Sequence, residues 1–110
     1  MRERLPGRRH VIRGFTRWPL DDGQKIHIDA GFTPDGRLME TFLRGGGHVA
    51  SDLDNTLDDA AKCISLAIQF GCPIATIAAT LGREGDGKPS SVIGAAVDKL
   101  AEIVREEGLR

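Results

Sequence analysis

Residues Gln24 to Ala30 alternate strictly in polarity. Ile26, Ile28 and Ala30 point one way, and Lys25, His27 and Asp29 the other. A period of two is the signature of a strand with one face buried and one wet. Turn signals bracket this segment. Asp21-Asp22-Gly23 precedes it and Thr33-Pro34-Asp35-Gly36 follows it. In the second turn proline pre-sets one dihedral and glycine accepts a positive one. Residues 10–20 contain the β-formers Val11, Ile12, Phe15, Thr16 and Trp18, and Pro19 limits their end. Leu38 to Arg44 reads as a third strand, with Met39, Thr41 and Leu43 on one face. Two successive tight turns make neighbouring strands antiparallel, so the first half predicts a three-stranded meander.

The glycines at 45–47 end that pattern, and a period near 3.6 replaces it. Ser51, Asp52 and Asp54 supply an N-cap and first-turn acids that suit a helix dipole. Leu57, Ala60, Ala61, Ile64, Ala67 and Ile68 then recur at helical spacing. Gly71 is placed to end this helix as a left-handed C-cap. Pro73 is placed to open a short one, carrying Ile74, Ile77, Ala78 and Leu81. After a polar loop, Ser90 or Ser91 caps a last helix with Ile93, Val97, Leu100, Ala101 and Val104 on its core face. The expected fold is α+β, a three-stranded antiparallel meander followed by three helices packed on one face. Such a sheet leaves its second face for Val11, Phe15 or Leu38 to bury, for instance against another copy in a homo-oligomer.

The chain has 110 residues, room for one domain. Residues 1–9 read as a basic arm and 10–108 as the domain. Fifteen Lys and Arg oppose 16 Asp and Glu, so the formal net charge is -1. That total conceals opposites: six Arg and one Glu lie between Arg2 and Arg17, whereas Ser51 to Asp59 holds four Asp and no base. No apolar run approaches a membrane span, and the charged start Met1 to Pro6 is not a secretory signal. No membrane contact is expected, and the expected location is cytoplasmic.

Candidate chemistry is sparse. Cys72 falls between Gly71 and Pro73, which places it at an N-cap, where a helix N-terminus favours the thiolate. The alternative is a small soft residue sealing an interhelix corner. Cys63, nine residues earlier, sits at the edge of an apolar helix stripe and is expected to be buried. Their spacing is not that of a zinc site, and His10, His27 and His48 fall on three different elements. Neither a metal nor a cofactor is expected. Anion or docking candidates are Arg8, Arg9 and Arg13 in and after the arm, and Arg83, Lys88, Ser90 and Ser91 around the last helix start.

Several segments resemble a known family. They are Arg2-Glu3-Arg4-Leu5-Pro6, the strand Arg13-Gly14-Phe15-Thr16, the Asp35-Gly36 turn and the helix from Ala61 into Gly71-Cys72-Pro73-Ile74. In order, they resemble the TSCPD domain, the C-terminal accessory domain of adenosylcobalamin-dependent (class II) ribonucleotide reductases. Where a Ser-Cys-Pro-Asp motif would start the last helix, this chain has Ser90-Ser91-Val92-Ile93. The name-giving cysteine is absent, and only the capping role of the serines remains. The reductase's catalytic barrel does not fit in this length, so the resemblance implies an accessory module rather than catalysis by this chain alone.

Three readings follow. The leading one is a stand-alone accessory module that docks on a reductase or other protein, or binds a nucleotide or nucleic acid through the basic arm. The second is a small thiol or metal protein centred on Cys72. The third is a structural homo-oligomer.

Overall fold

The computed structural model describes residues 10–20, 22–46 and 52–108. The basic arm 1–9, with Arg8 and Arg9, lies outside the described residues, as do His48 and Ser51. The elements are β1 (His10–Trp18), β2 (Gln24–Phe32), β3 (Leu38–Gly45), α1 (Asp52–Gln69), α2 (Ile74–Thr80) and α3 (Val92–Gly108). The sheet is an antiparallel meander in the order β1-β2-β3, and the fold is α+β as the sequence predicts.

The alternation in β2 decides which face takes the helices. Ile26, Ile28, Ala30 and Phe32 are buried, and their partners in the flanking strands share that face. Leu57, Ala61 and Ile64 of α1 and Ala96, Val97, Leu100 and Ile103 of α3 close over them into one core cluster. α1 packs on β3, α3 packs across β1 and β2, and α2 packs on α3. The deepest stripe of α3 includes Ala96 and Ile103, which the sequence reading passed over. Gly14 explains why α3 comes so near. A Cβ at that position would stand 3.1 Å from Ile103 Cδ1, so the glycine admits the isoleucine against the strand.

Two turns behave as their residues dictate. Gly36 N donates to Thr33 O at 2.9 Å, with Gly36 at a φ of 89°. α1 ends in paired bonds: Gly71 N donates to Ile68 O and Cys72 N to Ala67 O, both at 2.9 Å, with Gly71 at a φ of 98°. This is the six-to-one and five-to-two pattern of a glycine-terminated helix.

Three expectations are corrected. Leu38 does not face solvent. A register shift at Gly31/Phe32 pairs it with Phe32, and it packs against the core cluster. Cys63 is exposed rather than buried, because it lies beyond the edge of the stripe formed by Leu57, Ala61 and Ile64. Cys72 is not the N-cap of α2. Pro73 holds that position with extended backbone (φ -66°, ψ 145°), and its carbonyl accepts from Thr76 N and Ile77 N.

Candidate functional site

The corner between α1 and α2 borders a groove of about 510 Å³. Its walls come from four places: the turn into β3 (Gly36 to Met39), the end of α1 (Ile68, Gln69), the corner itself (Gly71 to Ala75) and Val104 of α3. Leu38, Met39, Ile68, Ile74 and Val104 make it mostly apolar, while Arg37 and Gln69 add polarity. That combination of size and lining is typical of a binding groove. Cys72 lines it half-buried, its Sγ 3.8 Å from Pro73 O.

The floor is fixed by α1 gripping the free edge of β3. Gln69, which is buried, donates from Nε2 to Met39 O at 3.1 Å. Ser65 Oγ accepts from Thr41 N at 3.0 Å and donates to Thr41 O at 3.2 Å. Asp54 Oδ1 accepts from Gly45 N at 2.8 Å. The spacing works because four helical residues rise ~6 Å while two strand residues rise ~6.8 Å. Ser65 and Gln69 therefore stay in step with Thr41 and Met39. An edge strand presents unpaired backbone groups, and here helix side chains satisfy them.

At the groove's rim, Thr33 Oγ1 donates to Asp35 Oδ1, and Arg37 Nε lies 3.2 Å from Asp35 Oδ2. The Thr33 hydroxyl holds the Asp35 carboxyl below its ordinary value; desolvation opposes it, and the charge of Arg37 adds to the lowering.

The remaining candidates are spread out. Arg83 forks onto Asp98 (Nη2 to Oδ1 2.6 Å, Nη1 to Oδ2 2.9 Å) and also donates to Gly87 O and Ala78 O. This pairing raises the guanidinium pKa, chiefly through the hydrogen bond to Asp98. Arg83 thus ties the loop before α3 to both α2 and α3. Ser91 is the cap of α3: its Oγ accepts from Gly94 N at 3.0 Å. Ser90 is exposed, with its N–H given to Gly82 O. Lys88 is exposed, 4.0 Å from Asp86. Arg13 lies on the far face of the sheet, 3.9 Å from Asp29.

The two thiols are both free, one in the groove and one on the exposed side of α1. Among the described residues, no group of three or more His, Cys, Asp or Glu side chains could hold a metal ion. No helix among them is long and apolar enough to cross a membrane.

Sequence reasoning missed Ser65, Gln69 and the Arg83–Asp98 fork. The signal for the first two was present: polar residues four apart beside an otherwise apolar helix stripe. Arg83 and Asp98 are 15 residues apart, and only the folded loop brings them together.

All six elements, up to the penultimate residue of α3, fall within one family match. The TSCPD domain matches residues 2–107, and the chain belongs to that family. It is also similar to the vitamin B12-dependent ribonucleotide reductase of Bradyrhizobium diazoefficiens, 33% identical over 73 residues. That alignment covers 66% of this chain and 6% of the reductase, so the chain corresponds to a small part of its relative. No solved structure matches the chain.

Proposed function

We propose that this TSCPD domain is an accessory binding module that docks on a reductase polypeptide through the groove at Cys72. The observation that carries this reading is the groove itself: a mostly apolar trough of about 510 Å³ with a fixed floor. Its chemistry suits an extended apolar segment, with the exposed Arg37 side chain at its rim. The similarity to a part of a far longer vitamin B12-dependent ribonucleotide reductase supports a reductase chain as the occupant. On this reading the domain acts by binding, as a free-standing accessory in the cytoplasm. It serves a partner that supplies nucleotides for DNA replication.

Affinity capture with the tagged chain tests this. A reductase chain should be retained by the wild type and lost from Ala75→Arg. Ala75 is exposed on the groove wall, so the added side chain blocks the trough without entering the core. Capture that is equal for both proteins, or that returns no reductase, contradicts the reading.

A further inference from the structure

The face of the sheet turned away from the helices combines exposed aromatic rings with exposed cations. Phe15 and Phe42 are 46% and 52% exposed there. Buried rings add to a core, but rings left on a wet sheet face add nothing to this one. Arg13, Arg17, Lys25 and Arg44 share the face, and all four are exposed. The carboxylates of the same face are sunk into it. Asp29 has a side chain only 19% exposed, and Glu40 is 7% exposed, lying across Gly31. The charge that reaches solvent is therefore positive, on a chain whose formal net charge is -1.

The register gathers cations around Phe15 and sets Phe42 one row away, across from Asp29. Phe15, His27 and Arg44 form one row across the three strands, and Arg13, Asp29 and Phe42 the next. Lys25 Nζ stands 4.4 Å from the centre of the Phe15 ring and Arg17 Cζ 5.9 Å. Strand spacing and rise put the two rings about 12 Å apart, with the half-exposed His27 imidazole between them. Two aromatic platforms separated by a third ring, with cations around them, match what a flexible polyanion with flat bases requires.

We propose that this sheet face binds single-stranded nucleic acid, stacking bases on Phe15 and Phe42 and holding phosphates with Arg13, Arg17, Lys25 and Arg44. A second copy of the chain fits the face less well. Two copies face to face would oppose cations with cations. Strands of nine, nine and eight residues also offer a footprint of only about 400 Å², about half of what each partner gives to a standard interface. The proposal concerns a surface separate from the Cys72 groove and does not depend on it.

Fluorescence anisotropy of a labelled oligothymidylate titrated with the full chain tests the inference. Saturable binding is expected, with affinity falling as salt rises. Arg44→Gln should flatten the log–log salt slope by about 0.7. Phe15→Ala and Phe42→Ala should each weaken binding at least about fivefold without changing that slope. Phe15→Leu keeps an apolar side chain but lacks the ring. It should weaken binding as Phe15→Ala does, and it serves if the alanine variant melts early. The proposal is overturned by no binding at low salt, or by binding that the phenylalanine variants leave intact. It is equally overturned by a dimer in sedimentation that Phe42→Ala dissociates, with no oligonucleotide bound, because the face then belongs to a second copy.

Discussion

Ser65 holds both backbone groups of Thr41, accepting from its N–H at 3.0 Å and donating to its carbonyl at 3.2 Å. One hydroxyl thus closes a two-point clamp between α1 and the edge of β3. Ser65→Ala leaves the partly buried strand groups without it, at a cost of about 1–2 kcal/mol. Urea unfolding followed by circular dichroism should report that loss, with an unchanged m-value.

Gly31 is required by Glu40. A Cβ at position 31 would stand 2.7 Å from Glu40 Cγ, inside any allowed contact. Gly31→Ala should destabilise the domain by about 1–3 kcal/mol through overpacking. The penalty should shrink when Glu40→Ala is made in the same chain. A thermodynamic cycle over the four proteins measures that coupling, and equal penalties in both backgrounds would remove the steric explanation.

Asp35 makes the turn at the groove's rim sensitive to acid. Its carboxyl is held below 3.8 by the Thr33 hydroxyl and then by Arg37. A folded-state pKa below the unfolded one contributes stability that is fully present above the unfolded value and is lost as pH falls through the folded value. The contribution should therefore vanish in the acid range below 3.8. In Thr33→Val, the carboxyl resonance of Asp35 should titrate closer to 3.8 than in the wild type.

Arg83 and Asp98 anchor the loop before α3. Asp98→Asn should leave the core intact while loosening residues 83–89. Hydrogen exchange should accelerate at the amides of Glu84 and Gly87, which bond to Lys88 O and Glu84 O within that loop. Unchanged exchange would mean that the loop's own bonds suffice.

The two cysteines should separate by accessibility. Cys63 is exposed and Cys72 half-buried in the groove. Limited alkylation followed by mass mapping should label Cys63 first. A ligand seated in the groove should protect Cys72 alone.

The elements were legible because their periods are clean. Strict alternation in Gln24 to Ala30 specified β2, and Gly36 and Gly71 stood where positive φ was needed. The bulge was not legible. Gly31 alone does not disclose that Leu38 rather than Met39 will oppose Phe32. The cap of α2 was misplaced by one residue, since proline suits either the cap or the first helical position and only its ψ decides. Of the site, Cys72 was visible from its flanking glycine and proline. The groove around it was not, since its walls come from three helices and a turn that only tertiary packing assembles.

The most direct test of the account replaces Phe70 with a photoreactive benzoylphenylalanine. Phe70 is 60% exposed and stands two residues before Cys72, so the probe sits beside the groove without disturbing the core. Irradiation in cells should join the domain to a reductase chain, and Ala75→Arg should abolish the product. Crosslinks that persist in Ala75→Arg, or that join only copies of this domain, would contradict docking through the Cys72 groove.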